Sequence, residues 1–334
     1  MPGKRELAAR LLDLGPIGPL LRRLPTWRGV LVLNYHRVAA SADKLLDRGV
    51  WSATPEALDR QMAFVRRHFE VVGPDDLADS RRARPGRAVM ITFDDGYRDS
   101  HAVALPILRR HGLTATFFLA TGFLDRPRLA WWDEIAWMVR ASRRNELPAG
   151  DWLPAPLRFD EPHRELAVRT LLGLYKALPD ERTEPFLNAL AETTASGRGA
   201  AEAAREVWMT WDMARELRAA GMSLGGHTVS HPILARLSPQ RQQAEIGGCR
   251  ARFEAELGEP MTSFAYPSGK SGTFDQFTRD CLQQQGVRYA FSFAGGVCDP
   301  RRLDPFDIPR VHIGVGASLS RFQALLTLPR VFGG

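Results

Sequence analysis

Cysteine is scarce in this chain: Cys249, Cys281 and Cys298 are the only three among 334 residues. An odd number with no Cys-x-x-Cys pair argues against a disulfide framework or a thiolate zinc finger. Lysine is nearly as scarce, because Lys4, Lys44, Lys176 and Lys270 supply only four of the 45 basic residues. The net charge of +7 and the pI near 9.7 would suit a nucleic-acid binder. That charge is arginine scattered along the chain, without zinc-finger spacing, an aromatic RNA-binding motif or a basic helix. No nucleic-acid partner is expected. A positive surface suits an anionic membrane or a phosphate-bearing substrate as well. No apolar run reaches the roughly 18 residues that span a bilayer. The N-terminus lacks the apolar core and cleavage site of a signal peptide. Repeats at solenoid or propeller periods are absent too. These absences make a cytoplasmic globular protein the expectation.

What is present is a composition of 44% hydrophobic and 25% charged residues, enough for one enlarged α/β domain or two small ones. Residues 1–28 form a separate N-terminal segment. There Leu7, Leu11, Leu12, Leu20, Leu21 and Leu24 mix with Arg10, Arg22 and Arg23 around two Gly-Pro pairs. Such a basic amphipathic stretch can lie at the inner face of an anionic membrane, or pack as a short helix on the domain.

From residue 29 to 334, short apolar runs alternate with helical patterns, which points to βα units. Strands are predicted at residues 30–34, 88–93, 114–119, 222–225, 263–266, 288–291 and 308–313. Thr54-Pro55-Glu56 supplies an N-cap and a proline at N1, and Leu58, Met62, Val65 and Phe69 follow at helical spacing. Further helices are predicted at 100–111, 211–220, 239–257 and 275–285. Residues 122–207 break this rhythm. Trp131, Trp132 and Trp137 open the region, a helical stretch fills 163–193, and small residues close it. It reads as a helical insertion between two βα units. Its tryptophans either stack on sugar rings or anchor the insertion.

Two clusters carry chemistry. The apolar strand 88–93 runs straight into Asp94-Asp95-Gly96, and strand ends at the carboxyl edge of a parallel sheet are where catalytic groups collect. Adjacent carboxylates repel unless one binds a cation and the other acts as a base. The second cluster is Gly225-Gly226-His227-Thr228-Val229-Ser230-His231-Pro232. Two histidines four residues apart share one face of a helical turn and can ligate one metal. One added aspartate completes a two-histidine, one-carboxylate set with open coordination positions.

Together, Thr92-Phe93-Asp94-Asp95-Gly96 and His227-Thr228-Val229-Ser230-His231-Pro232 resemble the first two motifs of the polysaccharide deacetylase family (carbohydrate esterase family 4, the NodB homology domain). Phe264-Ala265-Tyr266-Pro267-Ser268-Gly269 is similar to its third motif. Leu33-Asn34-Tyr35-His36-Arg37-Val38 is similar to a segment of members acting on exopolysaccharides or related glycans. The resemblance implies a distorted (β/α) barrel with fewer than eight complete units. It also implies metal-dependent removal of an N-acyl, chiefly N-acetyl, group from a glycan or lipid-linked sugar. Asp94 matches the general base; Asp95, His227 and His231 match the metal ligands. Zinc is the expected ion, and the same ligands accept cobalt, manganese, iron or nickel. Tyr266, Ser268 (through its backbone N–H) and His36 are the candidates for contacting substrate or oxyanion.

The chain departs from the family where an arginine is expected at Ala265, a tyrosine at Ser268 and an acid histidine in the last motif. Arg310 is the candidate to replace the arginine and His312 the candidate acid, with Asp304 or Asp307 as its support. Two other readings stay open: an O-acetyl esterase or non-sugar amidase on the same metal, and a carbohydrate-binding protein impaired in catalysis.

Overall fold

The computed structural model describes residues 6–10, 17–21, 24, 26–41, 44–77, 87–199 and 204–333. Seven parallel strands form the centre: β1 (Val30–Tyr35), β2 (Ala88–Phe93), β3 (Thr116–Leu119), β4 (Ser223–Gly226), β5 (Ser263–Ala265), β6 (Tyr289–Ser292) and β7 (Ile308–His312). Each pairs with its successor in the chain, and β7 pairs back onto β1, which closes the barrel. The short strand Glu70–Val71 lies beside the start of β2. Every predicted strand is present within one or two residues.

Strand parity sorts the side chains. Leu31, Leu33, Val89, Ile91, Phe93 and Phe117 point outward into the main core beneath the helices. Val30, Val32, Met90, Phe118, Ala265, Phe291 and Ile308 fill the lower interior of the barrel. The inward row continues upward as Asn34, Thr92, Asp94 and Arg310, all at most 1% exposed. An apolar floor therefore carries a polar mouth at the carboxyl end of the strands.

The surrounding helices are α1 (Pro55–His68), α2 (Leu105–His111), α3 (Trp131–Ala141), α4 (Arg164–Ala177), α5 (Asp180–Thr194), α6 (Trp211–Ala219), α7 (Pro239–Leu257), α8 (Gln276–Gln284) and α9 (Leu319–Thr327). Thr54 accepts from the Ala57 N–H and Pro55 occupies the first turn of α1; Ser238 and Pro239 start α7 in the same way. No helix lies between β6 and β7. Among the described residues, no helix is long and apolar enough to cross a membrane. Cys249, Cys281 and Cys298 are free thiols, all buried.

The insertion leaves β3 and returns to the adjacent β4, so its two ends meet in one sheet. It builds its own apolar cluster around Trp131, Trp132, Ile135, Phe159, Leu171, Phe186 and Leu190. The predicted 163–193 helix is two helices, because Pro179 cannot continue α4 and begins α5 instead. A short hairpin, Glu146–Leu147 with Leu157–Arg158, was not anticipated. Residues 200–203 of its small-residue end lie outside the described residues, as do Leu11, Leu12, Arg22 and Arg23. Of the N-terminal segment, Ala9 is buried in the main core, whereas Leu7, Leu20 and Leu24 are exposed.

Candidate active site

Asp94 ends the inward row of β2, and its amide N–H donates to the Tyr35 carbonyl at 3.0 Å. Asp95 and Gly96 then turn through left-handed backbone, at φ 74° and 86°. This turn sends the two neighbouring carboxylates in different directions. Asp94 receives a two-pronged contact from Arg310, with Nη1 to Oδ1 at 2.7 Å and Nη2 to Oδ2 at 2.8 Å. Burial alone would raise the pKa of Asp94, but the Arg310 charge, then His227 and the Arg310 hydrogen bonds, hold it below the ordinary carboxylate value. Arg310 lies over Phe293, 4.5 Å from the ring centre. It crosses the interior from β7 to a position that the third motif leaves short, since Ala265 carries no charge.

Asp95 faces the histidines. Its Oδ1 lies 3.3 Å from His227 Nε2 and 3.4 Å from His231 Nε2. Ligand atoms of Asp95, His227 and His231 lie within 4.8 Å of one another, and all three residues are buried. His227 donates from Nδ1 to the Ala265 carbonyl at 2.7 Å; burial lowers its pKa but Asp95 and Asp94 raise it overall, so Nε2 would offer its lone pair to a cation on release of the proton that Asp95 favours there. Burial lowers His231 to about 3 against the attraction of Asp95, which favours a neutral imidazole. Asp95 Oδ1 is a buried oxygen with no hydrogen-bond partner. A buried, unpartnered carboxylate oxygen facing two imidazole nitrogens is what a divalent cation would satisfy.

The His227–His231 loop is strained and braced. Thr228 and His231 sit at φ 66° and 58°. Glu245 of α7 accepts from the Val229 and Ser230 N–H groups at 2.9 Å each and from Ser230 Oγ at 2.6 Å. Gly226 is required just before the loop, since a Cβ there would meet Met261 Sδ at 2.2 Å. From the insertion, Trp131 Nε1 donates to the His231 carbonyl at 3.1 Å, and the Trp132 ring stands edge-on to His231 at 4.4 Å. Both tryptophans are buried, so they anchor the insertion to the loop instead of offering faces to a sugar. Trp137 is partly buried in the same cluster.

The profile of the polysaccharide deacetylase family matches residues 81–144 and 171–290. The chain belongs to the polysaccharide deacetylase family. YxkH of Bacillus subtilis (strain 168), which carries a polysaccharide deacetylase name, is 20% identical over 240 residues, 72% of this chain. The match spans 56% of that relative's length. Among solved structures, the Streptococcus pyogenes deacetylase PplD in complex with acetate superposes with a TM-score of 0.58 at 16% identity, covering 91% of this chain and 98% of PplD. IcaB from Ammonifex degensii gives 0.56 at 19% identity, covering 90% and 97%. These likenesses establish the shared barrel fold.

The remaining candidates divide. His312 lies at the open rim, and its ring meets His36 edge-on at 5.5 Å. Strand register explains the encounter, because Asn34 pairs with both Thr92 and His312. Although the residue is exposed at the rim, desolvation of the ring side that faces the mouth, then the nearby His36 charge, lowers the His312 pKa. Ser268 adopts φ 58°, and its backbone N–H has no acceptor among the described residues. Tyr266 must be corrected. Its parity puts the ring outside the barrel, stacked on Phe274 at 3.8 Å, with the hydroxyl donating to the Phe306 carbonyl. It is a packing residue. Asp304 is paired with Arg279 at 2.5 Å, so it does not brace His312. Sequence reasoning missed Glu245, and also Asn34, whose buried amide has no partner and sits level with Thr92 and His312. Periodicity offered one signal: Asn34 interrupts an otherwise apolar strand.

Proposed function

We propose that this protein is a divalent-metal-dependent N-deacetylase acting on an acylated glycan or lipid-linked sugar. The observation that carries the reading is the division of labour at Asp94-Asp95: one carboxylate is held by Arg310, and the other faces two histidines. Asp95, His227 and His231 would hold the cation, with zinc the expected ion. Such an ion polarises an acyl carbonyl and makes water a nucleophile near neutral pH.

The chain's own groups do the rest. Asp94, kept ionised and oriented by Arg310, accepts the proton of the attacking water. The free N–H of Ser268 faces the developing oxyanion. His312, neutral at rest and with His36 against it, relays to the leaving amine the proton that Asp94 took from the water, and the amine departs as the acyl carbon–nitrogen bond breaks. The same groups would serve an O-acetyl ester. The impaired binding-protein reading loses its main support, since Arg310 fills the role left empty by Ala265. Leu7, Leu20 and Leu24 are exposed on the basic N-terminal segment, which supports a site of action next to a membrane surface.

Metal analysis and acetate release from N-acetylated glycans test the proposal on two variants. His231→Ala should lose both metal and activity, whereas Asp94→Asn should keep metal and lose activity. Equal loss of metal in the two would remove Asp94 from the role of base.

A further inference from the structure

A cavity of about 520 Å³ adjoins the barrel mouth, between the end of β7 and α9 with the short helix Pro329–Phe332. Arg310 and His312 bound it on the mouth side. Phe322 and Leu325 of α9, together with Phe332, make its far wall. Its charged side chains are all cationic: no carboxylate lines it, and Lys270 and Arg321 join Arg310. Arg310 is committed to Asp94. Lys270 is exposed and Arg321 half-buried, and neither has an ion-pair partner among the described residues. The cavity on the insertion side of the His227–His231 loop is different, because Asp180, Glu181 and Glu184 line it together with Arg128 and Arg241. Val315 and Val331, chain neighbours of lining residues, are 40% and 58% exposed, so apolar surface continues outward.

An apolar wall facing unpaired cations complements a ligand with an alkyl chain at one end and an anion at the other. We propose that this cavity seats an alkyl phosphate ester, its chain against Phe322, Leu325 and Phe332 and its phosphate facing Lys270 and Arg321. A sugar carried on that phosphate would then reach Asp94 from the His312 side. The assignment rests on the deacetylase reading above and narrows its substrate to a lipid-linked sugar phosphate.

Calorimetric titration of the metal-loaded protein with hexyl, octyl and decyl phosphate tests this without turnover. Affinity should rise about threefold to fourfold per added methylene. Octyl phosphate should bind at least tenfold more tightly than inorganic phosphate or neutral octyl glucoside. Lys270→Glu and Arg321→Glu, both at solvent-accessible positions, should each weaken octyl phosphate at least tenfold. Leu325→Arg should abolish the chain-length dependence. Equal binding of octyl phosphate and octyl glucoside would overturn the proposal, as would binding of inorganic phosphate as tight as that of octyl phosphate, or indifference to both charge reversals. If alkyl phosphates fail to bind while acetate is released from N-acetylated glycans, the cavity assignment falls and the deacetylase reading stands. If they bind as described but no acylated substrate is cleaved, the cavity assignment stands and the deacetylase reading falls.

Discussion

Replacing Arg310 with methionine keeps most of the side-chain volume and removes the cation that faces Asp94. The guanidinium makes two short hydrogen bonds to Asp94, and both residues are at most 1% exposed. Removing one partner of such a pair strands the other charge, at a cost of about 3–5 kcal/mol near neutral pH. The sign of the pH dependence should change with it. In the wild type the folded Asp94 has a pKa below its ordinary value, so its contribution is complete above about pH 4 and is lost only as pH falls through the folded value. In Arg310→Met, burial dominates and the folded carboxyl holds a proton that the unfolded chain releases. Stability then falls as pH rises from about 4, by up to about 1.4 kcal/mol per unit, until the raised pKa is passed. Urea unfolding with excess chelator should therefore give a larger difference between the proteins at pH 7.5 than at pH 5. Asp94→Asn/Arg310→Met should be more stable than Arg310→Met alone, because the stranded charge is gone. kcat should fall by roughly 100-fold or more in the single variant, the scale of a positioned general base. A difference below about 1 kcal/mol at both pH values, or a double variant no more stable than the single, would refute this account of the pair.

Two further outcomes follow from buried carboxylates outside the Asp94–Arg310 pair. Glu245→Ala strips three hydrogen bonds from the loop bearing His227 and His231; it should cost about 1–3 kcal/mol and weaken metal binding roughly 10- to 100-fold. An unchanged metal titration would show that the loop holds its own shape. Asp133 is fully buried, with the Asp47 N–H at 2.9 Å and the Tyr97 hydroxyl at 3.3 Å; burial, opposed by Arg37, raises its pKa to about 7. Because the folded value lies above the unfolded one, its effect on stability worsens as pH climbs from about 4 to 7 and is level above that. Asp133→Asn should flatten that slope and raise Tm at pH 8, and Tm values that track the wild type at every pH would contradict it.

The barrel was legible because parallel strands buried on both faces read as continuous apolar runs ending in chemistry. Asp94, Asp95, His227 and His231 were legible because each lies in a local motif. Arg310 could be named only as a replacement for a missing residue, since its reach to Asp94 depends on closure of β7 onto β1. The proximity of His36 and His312 depends on the same closure. Tyr266 was misjudged through parity, because one position along β5 separates the barrel interior from the helix layer. Glu245 left no trace in the sequence, standing as one glutamate within the polar stretch of α7 whose partners lie 15 and 16 residues earlier. The insertion hairpin, with two residues per strand, is too short to show alternation.

Ring closure also orders events during synthesis. The chain emerges from its N-terminus, so Asp95, His227 and His231 are all available before β7 exists. Pairing of β7 with β1 joins opposite ends of the chain, a contact of long sequence separation and therefore slow to form. An unclosed barrel would hold the three proposed ligands, Asp95, His227 and His231, while its Asp94 still lacked the Arg310 counter-charge. On the proposed roles, capture of an ion would precede activation of water, and the second would wait for β7.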